Sequence, residues 1–500
     1  MALVTAATIL LGTLGLRFSR TTSDFYVASR SAGRLSNASA IGGEYLSAAS
    51  FLGVAGLVLA YGVDMLWYPV GWTAGYLVLL TLVAAPLRRS GAYTLPDFAE
   101  VRLESLPVRR LASAFVILIS WLYLIPQLQG AGLTLEVIAG APEWVGIVLV
   151  GVVVLLNVLS GGMRSITFVQ AFQYWLKLTA LFVPLVFLLT AWRGNEPDAG
   201  RAALHDTNWL LPLQSHPHAL YLTYSIIAAT FLGTMGLPHV VLRFYTNPDG
   251  TAARRTTLLV LGLLGFFYLM PALYGVLGRM YAGDLAHAGR FDTVVLVLPS
   301  RLLGTDAADL FGALLAAGAF AAFLSTSSGL TVAVAGVVSQ DILGGRIRGV
   351  RAFRIATALG VAVALLLALA SRDVSVASTV GWAFAIAAST FCPLLILGIW
   401  WPRLTGVGAA TGLVIGGLAS GTAVALTMID PDRGGWLGAL LTEPAAWSVP
   451  LAFTAMIAAS LLTPHRVPPN VARTMVRLHT PESLDVDRGS WHPERRVSPS

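Results

Sequence analysis

The feature that most constrains this chain is a recurrence. About 13 segments are apolar over roughly the 20 residues that a helix needs to cross hydrocarbon. They fall near 2–17, 36–60, 65–87, 111–138, 143–160, 165–190, 219–242, 256–280, 305–337, 353–371, 376–400, 406–428 and 446–464, and are numbered here as spans one to thirteen. Composition agrees with that pattern. Hydrophobic residues make up 56% of the 500, charged residues 11%, and mean hydropathy is +0.75. A soluble chain of this length needs far more charged surface, so an all-α polytopic membrane protein is expected. The first run is short, lacks a positive segment before it and carries its arginines after it. It is therefore read as a first transmembrane helix and not as a cleaved leader. The single cysteine, Cys392, excludes an internal disulfide.

The net charge of +7 would suit nucleic acid if the basic residues shared one face. They do not. With the first residue placed outside, 24 of the 32 Lys and Arg fall in the inner loops and the end after span thirteen. That asymmetry is a positive-inside signal, and scattered short loops exclude a nucleic-acid surface. The expected layout is a membrane domain over 1–464 in the cell's inner membrane, with its N-terminus outside. A cytoplasmic, partly disordered tail over 465–500 follows, rich in Pro and Arg.

Span two contains "IGGEYLSAASFLG", in which a single carboxylate, Glu44, stands among apolar and small residues. A charge there is costly against lipid, and Gly42-Gly43 weakens the helix beside it. Broken helices at mid-membrane are tolerated when protein or a water-filled cavity surrounds them, and their freed carbonyls can coordinate a cation. Span seven is interrupted in a related way, by "ATFLGTMGLPH". Spans two and seven would each open a five-helix unit, two to six and seven to eleven, as in an inverted-repeat transporter. Span nine carries the hydroxyl cluster Ser325, Thr326, Ser327, Ser328 and Thr331. Small hydroxyl residues often serve only close packing. Adjacent hydroxyls beside free carbonyls also suit a hard cation such as sodium.

These segments resemble the sodium:solute symporter family, and within it the cation–acetate, or monocarboxylate, symporters. The resemblance runs from "SDFYVASRSAGRLSNASAIGGEYLSAASFLG" through "LRRSGAYTLPDFAEVRL", "SGGMRSITFVQ" and "GLPHVVLRFYTNPDGTAARR" to "AAFLSTSSGLTVAVAGVVSQDI". It implies a leucine-transporter-type fold of five plus five helices, broken at spans two and seven. It also implies a sodium site on the carbonyls of Gly43, Leu46 and Ala322 and the hydroxyls of Ser325 and Thr326. The positions 322, 325 and 326 share one helical face. The acetate-type pattern has Asp where this chain has Glu44, and three roles are open to that carboxylate: long-range charge beside a cation, proton coupling, or capping of the broken helix.

The substrate site is expected between spans two, three, four and seven. Ser47, Ser50, Thr230 and Thr234 are its candidates, with Trp67, Tyr68, Tyr123 and Gln127 nearby. A half-helix N-terminus and hydroxyls would hold a small carboxylate, since no arginine lies at the centre of a span. Lys177, the only lysine, is deep in span six, where pairing a carboxylate and snorkelling outward are both open to it. His205, His216 and His218 belong to a solvated loop, and His239 is read as structural or gating. An enzyme is excluded by the lack of a nucleophile–base set, a metal motif or a P-loop. A sensor fused to a kinase is excluded by the short tail, although a sensor with a separate partner, or a carrier of proline, a sugar or pantothenate, stays open. The partners expected are thus a small carboxylate, sodium and the bilayer. No other cofactor is expected, and the oligomeric state is left open.

Overall fold

The computed structural model describes residues 4–8, 10, 33–192, 206–213, 217–344, 347, 349–371, 376–431, 433–482 and 484. Among them every regular element is helical. Eleven helices are long and apolar enough to cross a membrane, and Arg34–Tyr45 with Ala49–Tyr61, meeting at 72°, make a twelfth as a broken pair. The first predicted span, 2–17, lies mostly outside the described residues. Spans five and six, expected on either side of "SGGMRS", are present as Glu143–Ser160 and Ser165–Trp192.

Both predicted breaks are present. In span two the helix stops at Tyr45, passes through Leu46 and Ser47, and resumes with a wide-turn segment over Ala49–Gly53. In span seven, Ala219–Gly233 gives way to a tight turn over Thr234–Gly236, and a new helix, Pro238–Phe244, begins. Proline explains the second break. It drives Leu237 into extended backbone (φ −71°, ψ 120°) and then occupies the first helical position, where its missing N–H is not needed. The breaks meet: the Tyr45 hydroxyl lies 2.9 Å from Thr234 Oγ1.

Span eleven, Val376–Trp400, runs through the middle, with 94% of its apolar window buried, against 33% for Ala445–Leu462 at the periphery. Large apolar side chains such as Leu366, Ile429 and Leu462 are exposed and form a lipid-facing coat. At the face that carries the arginine-rich loops, a buried cluster locks three segments. Arg109 pairs with Asp97 at 2.8 Å, with Asp341 at 2.6 Å, and with Glu100. Arg102 caps the end of span eleven by donating to the carbonyls of Gly398 (2.7 Å) and Trp401 (3.0 Å). The beginning of the predicted tail is also ordered. Val471–His479 packs its buried Leu478 against the membrane domain, and Arg477 donates to the Arg89 carbonyl at 3.2 Å.

Gly43 shows how tightly the broken helix is held. A Cβ there would overlap the Gln170 carbonyl of span six. Gly43→Ala is therefore expected to destabilise the protein by about 1–3 kcal/mol through overpacking. Gly33→Ala, which meets open space, should leave the melting midpoint in detergent unchanged. Equal midpoints for the two variants would refute this packing.

Candidate functional site: a cation position between spans two, six and nine

The break leaves carbonyls of span two without helical partners, and these face span nine. Ser325 Oγ lies 2.7 Å from the Gly43 carbonyl oxygen and 3.0 Å from that of Ala322. Thr326 Oγ1 donates to the Glu44 carbonyl at 2.6 Å. The structure thus brings together Gly43, Leu46, Ala322, Ser325 and Thr326, all buried. What stands among their oxygens is a side chain of span six. The Lys177 ammonium donates to the carbonyl of Leu46 (2.7 Å), to Ser325 Oγ (2.6 Å) and to the Gly43 carbonyl. Lys177 is wholly buried, so it does not snorkel. An ammonium has three donors and no acceptor, and all three donors are used. A second cation held by the same oxygens would stand about 3 Å away, where two unit charges repel by about 5 kcal/mol even at an effective dielectric of 20.

Span six supplies more than the lysine. Thr167, Gln170, Tyr174 and Lys177 are spaced by three, four and three residues and so share one helical face. Thr167 Oγ1 accepts from Arg243 at 2.8 Å, and Gln170 donates to the Ser325 carbonyl at 2.7 Å. Tyr174 lays its ring against Gly42. The spacing was available in the sequence as the signal for Lys177.

Glu44 has a partner that sequence reasoning missed. Its carboxylate pairs with Arg243, which lies in the helix after the second break and is itself buried. Arg243 stands next to the predicted span end, where a cation ordinarily reads as a loop residue. The pair is packed without room to spare: a Cβ on Gly329 would overlap Glu44 Oε1.

Of the substrate candidates, Ser47 and Ser50 flank the resumption of span two, and Ser50 Oγ lies 2.9 Å from the Tyr268 hydroxyl. Both threonines donate back to their own helix, Thr230 to the Ile226 carbonyl and Thr234 to the Thr230 carbonyl, each at 2.7 Å, and Thr234 Oγ1 in addition lies 2.9 Å from the Tyr45 hydroxyl. Gln127 caps the resumed helix by accepting from Ala48 N–H at 2.8 Å. Around them lies an aromatic layer. Tyr45 and Tyr76 meet edge to face at 4.9 Å, Trp72 stacks on Phe384 at 5.7 Å, and Tyr123 abuts His239 at 5.3 Å. Two buried donors in this layer, Trp72 Nε1 and the Tyr76 hydroxyl, have no protein partner. Trp67 is part-exposed at 37% and stands away from the buried layer.

Beyond the layer, a cavity of about 560 Å³ opens on the face opposite the arginine-rich loops, lined by Tyr68, Trp382 and Glu443 among others. The Tyr68 hydroxyl donates to Glu443 at 3.3 Å, and burial pushes that carboxyl up to about 8. His218 stacks on Trp436 at 4.0 Å at the rim, while His205 and His216 lie outside the described residues.

Two interrupted helices that meet, with polar groups gathered on them and a vestibule at one side, are the arrangement of a membrane transporter. The chain belongs to the sodium:solute symporter family, whose model matches residues 25–416. It is 30% identical over 479 residues to the uncharacterized symporter YwcA of Bacillus subtilis (strain 168), covering 90% of this chain and 91% of the relative. A sodium-coupled sialic acid symporter, solved in a substrate-bound outward-open state, shares the fold with a TM-score of 0.73 at 14% identity, covering 92% of this chain and 95% of the other. Mhp1, a nucleobase-cation-symport-1 family transporter solved in a closed conformation, matches with a TM-score of 0.54 at 14% identity, covering 91% and 98%. The leucine-transporter-type fold expected from the sequence is thus present. The family implies sodium as the coupling ion.

Glu44→Gln leaves the Arg243 guanidinium buried without its counter-charge. The expected loss is about 3–5 kcal/mol, the usual effect of breaking a buried pair from one side. Arg243→Met in the same chain should recover part of that loss. Strictly additive melting shifts in a double-mutant cycle would show that the two groups do not act as a pair.

Proposed function

We propose that this chain is a secondary active symporter that takes up a small monocarboxylate such as acetate by alternating access. Its place is the inner membrane, with the arginine-rich loops and the tail helix in the cytoplasm and the Glu443 vestibule outside. Sodium is the coupled ion that the family implies, and a proton is the alternative. The observation that carries the substrate reading is the pair of unpartnered donors, Trp72 Nε1 and the Tyr76 hydroxyl, in the aromatic layer at the two breaks. A carboxylate supplies acceptors for both, and Ser47 and Ser50 stand at the positive end of the resumed helix. Thr234 contributes at the other break, where its hydroxyl meets Tyr45.

The test is radiolabelled acetate uptake into proteoliposomes, with an inward sodium gradient compared against an inward proton gradient at matched membrane potential. Uptake under either gradient supports the carboxylate reading, and its absence under both refutes it. Trp72→Phe and Tyr76→Phe should each raise the half-saturating acetate concentration about 10- to 100-fold, the effect of losing one hydrogen bond to a charged group. Unchanged half-saturation in both variants would place the substrate elsewhere.

A further inference from the structure

We infer that the Lys177 ammonium is a tethered cation that takes the place of a bound alkali ion between spans two and nine, and that a free ion enters this position only when the lysine side chain is removed. The inference rests on the transporter reading but not on acetate as substrate.

Four observations converge. First, Lys177 is fully buried and its ammonium meets three oxygens, Gly43 O, Leu46 O and Ser325 Oγ, all on helices other than its own. Second, those oxygens are two backbone carbonyls freed by the break and one hydroxyl. This is the neutral, hard donor set that suits a monovalent cation. Third, the remaining members of the set are directed elsewhere: Thr326 Oγ1 donates to the Glu44 carbonyl at 2.6 Å, and Ala322 O receives Ser325 Oγ at 3.0 Å. Fourth, Glu44, the nearest carboxylate in span two, is taken by Arg243. The lysine is therefore held by the carbonyl set and not by an ion pair that merely passes through it.

The chemistry of the exchange is simple. An ammonium and an alkali ion each bring one positive charge to the same oxygens, and each pins span two to span nine. The tethered group also brings span six. If sodium drives transport in this chain, it binds at another position.

The test uses the full-length protein in detergent, with no carboxylate present. Melting midpoints are compared in sodium chloride and in choline chloride. The wild type should show no sodium-dependent shift that Ser325→Ala removes. Lys177→Ala vacates the oxygens and should gain an upward shift in sodium, saturating with concentration as a one-site stabilisation does. Lys177→Met fills the same space without charge and should gain none. In proteoliposomes, the sodium dependence of Lys177→Ala should shift to higher concentration when Ser325→Ala is added, whereas that of the wild type should not.

A wild-type sodium shift abolished by Ser325→Ala would overturn the inference. So would a folded, monodisperse Lys177→Ala that is blind to sodium, or a Lys177→Met that gains the shift. Should Lys177→Ala fail to fold, the wild type and Ser325→Ala still decide the matter. A sodium shift equal in the two supports the inference, since it places any ion away from these oxygens. Failure of acetate uptake by the wild type would refute the substrate reading and leave the midpoints interpretable.

Discussion

A helix interrupted inside a membrane frees backbone groups that lipid cannot satisfy, and the interior of this protein is organised around that constraint. Stopping at Tyr45 leaves the Gly43, Glu44 and Leu46 carbonyls without intrahelical partners. Lys177, Ser325 and Thr326 supply donors to them, and Gln127 accepts from the Ala48 N–H on the resumed side. Three other helices are thereby committed to one break. The close approach that makes this possible explains Gly43, where any side chain would meet the backbone of span six.

The charges follow from the same arrangement. Lys177 and Arg243 are both buried, and Glu44 is the carboxylate between spans two and seven that balances one of them. A carboxylate at this point of span two is costly in lipid, but here it faces protein on every side. Its ion pair also joins the two broken helices on the side of the arginine-rich loops, while Tyr45 and Thr234 join them at the breaks. Removing either member of a buried pair leaves an uncompensated charge, so each strongly constrains the other. The remaining positive charge is spread over neutral oxygens, as a bound alkali ion would be.

Much of this was legible in the sequence, and the boundary of what was legible has a physical cause. Apolar run length gave the spans, and Gly42-Gly43 and Gly236-Leu237-Pro238 gave the two breaks, because length and backbone chemistry are local properties. The hydroxyls at 325 and 326 were found because their spacing places them on one face. What escaped was the partner of each group. Glu44 was weighed against a cation, a proton and a cap, when its carboxylate meets Arg243. Lys177 is open in the sequence to pairing a carboxylate or to snorkelling, whereas it is buried against two carbonyls and a hydroxyl. Periodicity reports which face of a helix is polar, not which neighbour that face meets. Thr167, Gln170, Tyr174 and Lys177 form such a polar face in a span that must otherwise contact lipid or protein, and a face of that kind requires polar partners.

The family relationship and the lysine are compatible once the requirement of the site is stated in charge and not in ion. Two carbonyls and a hydroxyl between spans two and nine need one positive charge to hold them together, and any monovalent cation of suitable size meets that need. A free ion supplies it in proportion to its concentration and leaves when that falls. A side chain supplies it at an effective concentration fixed by its tether, independent of the medium. Family membership accordingly accounts for the helices and their breaks. The ion that answers those oxygens is determined by span six, where one residue decides whether the charge is borrowed from solution or carried by the chain.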